Sequence, residues 1–200
     1  MSRVHPTKQI LLDTTVALLD ELGTEKVTSD FVLERSGISK GSLYHHFPDF
    51  GHLVDEAHAI RFSRSVDLSI EVMTVMMRDA RTVDEIRQRA KELTRLSGSP
   101  DRAAARADRA WLLGMASQRP HLAALLGAEQ ARLTGAIADI IREIQERGIF
   151  RKDVDPVVGA IFIQAYPLGL GLNDISPEKI EMDHWVTFID ALVESAFFAS

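Results

Sequence analysis

Two hundred residues, 46% of them hydrophobic and 26% charged, are long enough to bury a core and too apolar for a disordered chain. The absence of cysteine excludes disulfides, thiolate metal sites and cysteine nucleophiles together, and a net charge of −6 means that any contact with nucleic acid comes from a local patch. No run of roughly eighteen apolar residues appears and the N-terminal MSRVHPTKQ lacks a signal peptide's apolar stretch, so the sequence supports neither a membrane span nor export and places the chain in the cytoplasm.

The helical period dominates throughout, with no convincing alternating strand run, and predicts an all-α fold of about nine helices. Thr7 is the expected cap of a first helix whose Ile10, Leu11, Thr14, Ala17, Leu18 and Leu22 recur at steps of three and four, with Gly23 as its left-handed C-cap. Thr28 opens a second helix to about Arg35 with Phe31 and Val32 inward; Ser36, Gly37 and Ile38 make a tight turn, and Ser39 caps a third helix ending near His46. Asp49 is the N-cap of a long fourth helix. Thr82 and Glu85 form a capping box before a charged fifth helix, and SGSP at 97–100 reads as a loop. A sixth helix runs from about Arg102 to Ser117. Pro120 starts a seventh, with Leu126, Leu133, Ile137, Ile140, Ile141 and Ile144 on one face. Asp155–Pro156 and Ser176–Pro177 repeat the signal of a cap followed by proline before the last two helices.

Two short helices joined by a glycine-containing turn, the second polar on its outer face, describe a helix-turn-helix whose second helix enters the major groove. Leu43 and Phe47 face a small core with Ile10, Leu18, Val32 and Leu33, while Lys40, Ser42, Tyr44, His45 and His46 point outward. Lys40 can reach a guanine edge or a phosphate, Tyr44 and the histidines can donate to phosphate oxygens, and Ser42 can bond either kind of partner. Gly41 costs the helix about 1 kcal/mol relative to alanine but lets backbone approach a duplex closely. From Arg35 to Pro48 there is no carboxylate. Pattern alone leaves open a merely polar helix on a helical bundle.

The residues Ile10 to Leu22, Gly23, Thr28, Val32, Ser36-Gly37-Ile38-Ser39, Gly41, Leu43, Tyr44, His46, Phe47 and Leu53 together resemble the N-terminal signature of the TetR family of bacterial transcriptional regulators. The resemblance covers about fifty residues. It implies a DNA-binding domain over 1–50, with the connecting helix starting by about residue 54, and an effector-binding and dimerisation domain over 51–200. It further implies that Thr28, Ser39, Tyr44 and His46 contact phosphates while Lys40, Gly41, Ser42 and His45 lie near bases. Phe50 stands where the family often has lysine, a change that removes a phosphate contact and lowers the salt slope of binding by about one unit. Leu33 and Ser36 replace alanines usual in the second helix.

Beyond about residue 80 the resemblance says little. Val157 to Leu172 is apolar nearly all round, and the last helix carries Trp185, Val186, Phe188, Ile189, Leu192, Phe197 and Phe198, so both need two partners. A homodimer formed across these two helices satisfies that need, with Gly159, Ala160, Ala165, Gly169 and Gly171 permitting close approach; a wholly internal hairpin is the other reading. Met73, Met76, Met77, Trp111, Met115, Phe162 and Tyr166 are the candidate walls of a pocket for an unidentified small hydrophobic or amphipathic effector. The arginine-rich stretch Arg87 to Arg109 reads as a solvated helix face. The expected activity is a ligand-responsive regulator, a repressor, that binds palindromic double-stranded operator DNA as a dimer and uses no cofactor. The alternative from another class is a metal protein or hydrolase built on His45, His46, Asp49, His52, Glu56 and His58, with His52 and Glu56 one turn apart. No serine-hydrolase elbow, zinc-protease pair or glycine-rich phosphate loop suggests any other enzyme.

Overall fold

The computed structural model describes residues 5–198; residues 1–4, where the N-terminal stretch and the expected DNA-binding domain begin, and residues 199–200 lie outside it. Among the described residues there are nine α-helices and no strand: α1 (Pro6–Leu22), α2 (Ser29–Ser36), α3 (Lys40–His46), α4 (Phe50–Arg78), α5 (Val83–Gly98), α6 (Ala103–Ala116), α7 (Pro120–Glu146), α8 (Pro156–Ile175) and α9 (Met182–Phe197). The all-α expectation and its helix count hold.

Contacts divide the chain into two compact units, one of residues up to 65 together with 115–128, the other of 66–114 and 129 onward. The first unit holds α1 to α3 and the start of α4 around a core of Leu11, Leu18, Val32, Leu43, Phe47 and Leu53, with Leu33, Ile38 and Phe50 packed against it. Five expected caps form. Thr28 and Ser39 accept from the backbone N–H groups of Phe31 and Ser42, Asp49 from His52, Thr82 from Glu85, and Asp155 from Val157 and Val158. Gly37 ends α2 in the left-handed region at φ 67°.

The structure corrects several local expectations. Thr7 does not cap α1, because Pro6 takes the first helical position and His5 becomes the cap, its Nδ1 accepting from Thr7 N–H. Gly23 ends α1 at φ 76° and ψ 162°, open to glycine but outside the left-handed helical basin. Ile10 and Phe31, expected inward, are exposed at 45% and 48%. The SGSP stretch is partly helical, since α5 runs to Gly98 and a single 3-10 turn covers Pro100–Arg102. Ser176–Pro177 ends α8 instead of starting α9; there Lys179 Nζ donates to the carbonyl oxygens of Asn173 and Asp174, and Ile180 N–H donates to Asn173 Oδ1. Helix α9 then starts only at Met182.

In the second unit the arginine stretch is not all solvated. Arg106 is 7% exposed, makes two hydrogen bonds to the Asp174 carboxylate at 2.8 and 2.7 Å, and donates to the carbonyl oxygens of Ser97 and Ser99. One side chain thereby ties α6 to the ends of α5 and α8. Arg109 is half-buried, desolvation pulls its pKa down, and its Nη2 donates to Gln130 at 2.6 Å.

Helix α8 is long and apolar enough, by length and composition, to cross a membrane. Gly159 and Ala160 are buried, and a Cβ on Gly159 would come within 2.8 Å of Phe197 and 3.1 Å of Ile141, so this glycine serves packing inside the chain. Val158, Ile161, Leu172 and Ile175 on α8, with Phe188 on α9, remain more than half exposed.

Candidate nucleic-acid interface

Helix α3 is only seven residues long, and its polarity is set by its two buried side chains. Leu43 lies within the helix and Phe47 at its C-cap, both in the core of the first unit. The intervening positions are thereby turned outward. Ser39, Lys40, Gly41, Tyr44 and His45 are exposed, with Ser42 and His46 half-buried. Thr28, at the start of α2, is exposed as well. The hydroxyls of Ser39 and Ser42 lie 3.0 Å apart, so the α3 cap is also a polar pair at the helix entrance.

Gly41 has no role inside the fold: its φ is not positive, and a Cβ placed on it would meet nothing within 4 Å.

Sequence reasoning did not find His5 and Lys8, which α1 brings to this face. The His5 and His46 rings lie 4.8 Å apart and those of His45 and His46 5.1 Å apart. Desolvation first, then the neighbouring His5, His45 and Lys8, hold His46 below the ordinary imidazole value. Lys8 Nζ pairs with Glu56 at 2.8 Å and lies over the Phe47 ring. Arg35, counted in the sequence as part of the local positive charge, is instead paired with Glu21 at 3.2 Å. Lys40 is left as the fixed cation of the outer face of α3.

The first turns of α4 are held by residues far along the chain that belong to the same unit. Arg119 Nη2 donates to the Gly51 carbonyl oxygen at 3.2 Å and lies 2.9 Å from Asp55 Oδ1. Burial pushes the Asp55 carboxyl up, and Arg119 opposes the shift. That contact is an ion pair without hydrogen-bond alignment, for Asp55 Oδ1 is buried and accepts no hydrogen bond. His52 stacks on His121 with centroids 4.8 Å apart. Nothing in sequence spacing points to these contacts; Pro120 signals only a helix start.

The six residues of the metal alternative do not converge. His52 pairs with Asp49, Glu56 with Lys8, and His58 is buried with its Nε2 3.5 Å from Thr24 Oγ1. Among the described residues no group of three or more His, Asp or Glu is placed to hold an ion.

The candidate effector residues scatter. Met73, Met76 and Met77 are half-buried on α4, Trp111 is 40% exposed, and Met115 falls in the first unit. Phe162 packs near Tyr166 and Phe197, and the Tyr166 hydroxyl lies 3.2 Å from Thr94 Oγ1. Met77 lines an open cleft of about 310 Å³.

Residues 11–57 match the model of the bacterial regulatory proteins of the TetR family, and residues 86–197 match the C-terminal model of BetI-type transcriptional repressors. The chain belongs to the TetR family. A Saccharomonospora viridis protein in complex with choline shares 21% identity and aligns over 96% of this chain and 98% of its own with a TM-score of 0.65. A Mesorhizobium loti protein assigned to the TetR family gives 17% identity, 98% and 96% coverage and a TM-score of 0.66. The SmeT–triclosan complex gives 18% identity, 98% and 93% coverage and 0.60. At these identities the likeness is one of fold. Among curated proteins no sequence matches the chain. As a TetR-family protein the chain is a transcriptional regulator, and the outer face of α3 is its candidate DNA-reading surface.

Proposed function

We propose that this TetR-family regulator is a repressor that binds palindromic operator DNA as a homodimer and is released by a small hydrophobic or amphipathic effector. Residues 1–50 form the DNA-binding domain in this reading, and residues 51–200 bind the effector and dimerise. The observation that carries it is Gly41: the fold does not use this glycine, yet it sits in the middle of an exposed, carboxylate-free helix face. Thr28, Ser39, Tyr44 and His46 serve phosphates, and Lys40, Ser42 and His45 serve base edges.

Two copies place two such helices in successive major grooves about 34 Å apart. The exposed apolar residues of α8 and α9 supply the surface for pairing, since apolar area left in water on a two-fold axis is covered at no cost in specificity by its own copy. Effector binding then needs to differ between the DNA-competent and released conformers by only about 1 to 3 kcal/mol, with α4 as the lever. The choline and triclosan complexes among the structural neighbours support a small-molecule ligand.

The test is selection of bacterial chromosomal fragments by the purified protein, followed by footprinting. The expected result is a palindrome with half-site centres about one helical turn apart; a single unrepeated half-site, or no enrichment, would contradict the reading.

A further inference from the structure

Several arginines of the second unit are neutralised by carboxylates, as Arg87 is by Glu194, Arg106 by Asp174 and Arg132 by Glu129. Arg78, Arg81 and Arg147 form no ion pair among the described residues, and all three line one cleft of about 310 Å³. Met77, Ile140 and Ile144 give this cleft apolar surface, and Glu143 is the single carboxylate among its lining residues. Its size is at the small end of the ligand-pocket range of about 300 to 1,000 Å³.

The fold explains two of the three cations. Arg78 stands in the last turn of α4, and Arg147 follows the end of α7, where its Nη2 donates to the Ala80 carbonyl oxygen at 2.7 Å. Positive charge suits both helix ends. Arg81 is different. It directly precedes Thr82, the N-cap of α5, where the helix dipole disfavours a cation. The neighbouring Glu85 carboxylate is engaged by the backbone N–H groups of Arg81 and Thr82 at 2.6 and 3.0 Å. Against three guanidiniums and the half positive charge of the α5 N-terminus stand Glu143, Glu85 and two helix C-termini worth about half a negative charge each, which leaves roughly half a positive charge. That balance suits a monoanion and is too small for a dianion.

We propose that this cleft binds the carboxylate of a small aliphatic acid, with its head group at Arg78 and Arg81 and its chain over Met77, Ile140 and Ile144. The proposal deepens the effector reading above; it rests on that reading for its regulatory meaning, while binding itself stands apart from any operator. A choline-like cation would face like charge here.

The test is isothermal titration of the full chain with octanoate, octanol, octyl phosphate and choline. Octanoate is expected to bind at least about tenfold more tightly than the other three, a gap that one charge-assisted contact can supply. Arg81→Gln and, separately, Arg78→Gln are expected to weaken octanoate about tenfold with helicity by circular dichroism unchanged, while Arg81→Lys retains most of the affinity. Two separate substitutions keep the result readable should one of them misfold. Absence of octanoate binding at millimolar concentration, equal binding of octanol, tighter binding of octyl phosphate, or an octanoate affinity unmoved by both glutamine variants overturns the proposal. Octanoate binding without fragment enrichment would leave this site standing and remove the operator reading instead.

Discussion

A methyl group added at position 41 would touch nothing of the chain itself, so stability and DNA affinity separate there. Gly41→Ala is expected to stabilise the fold by about 0.5 to 1 kcal/mol, because alanine gives up less backbone entropy in a helix. The same variant is expected to lose about tenfold or more in affinity for selected DNA, since the added carbon stands between backbone and duplex. Urea unfolding and fluorescence anisotropy measure the two effects, and a variant that is both more stable and equally tight would show that nothing docks at this point. Lys40 carries a different signature. Lys40→Ala is expected to cost about 1 to 3 kcal/mol of affinity for a selected fragment and to relax the base preference at the position it reads, measured by anisotropy on base-substituted fragments. His58 governs stability instead. Burial first, then Arg61 and Arg119, press its pKa from 6.5 down to about 4. As pH falls below 6.5 the unfolded chain takes up a proton that the folded chain refuses, so stability is full above that pH and decreases toward pH 4, by about 2 kcal/mol at pH 5. His46 adds a loss of the same sign and Asp55 one of the opposite sign. The contribution of His58 is therefore read as the difference between wild type and His58→Gln, whose urea midpoint is expected to change less between pH 7.5 and pH 5.

At the scale of elements, what could be read from sequence was what is decided locally. Thr28, Ser39, Asp49, Thr82 and Asp155 each bond a backbone N–H two or three residues on, so residue type and spacing are enough to find them. Of the recognition face, the outward set of α3 was legible because buried Leu43 and Phe47, one turn apart, dictate it. Distant partners were not legible. The exposure of Ile10 and Phe31 depends on which face of a short helix finds a neighbour, and the burial of Arg106 depends on Asp174, 68 residues away. Lys8 and His5 reach the α3 face only because α1 folds against it, and Arg119 reaches α4 across 68 residues. Arg106→Ala would leave the Asp174 carboxylate unpaired and take a side-chain donor from the Ser97 carbonyl, while Ser99 keeps the Arg102 N–H. The expected loss is about 3 kcal/mol or more, measured by urea unfolding.

For the whole molecule, the hydropathy of α8 admits two outcomes, a membrane or a partner, and the proposed reading is the second, since α9 also leaves Phe188 and Leu192 exposed. Ile161→Asp with Phe188→Asp is expected to shift the protein to a monomer in sedimentation velocity and to weaken binding to a full palindrome about a hundredfold or more, as paired contact is lost. A half-site should be bound by the variant as well as before. The central claim is that the exposed face of α3 lies on DNA. It is tested most directly by anisotropy titration of Lys40→Ala/Tyr44→Ala against a selected fragment at moderate ionic strength, with sedimentation confirming an unchanged assembly. The expected result is a loss of at least about a hundredfold, the sum of two contacts at roughly 1.4 kcal/mol each; an unchanged affinity would contradict the account.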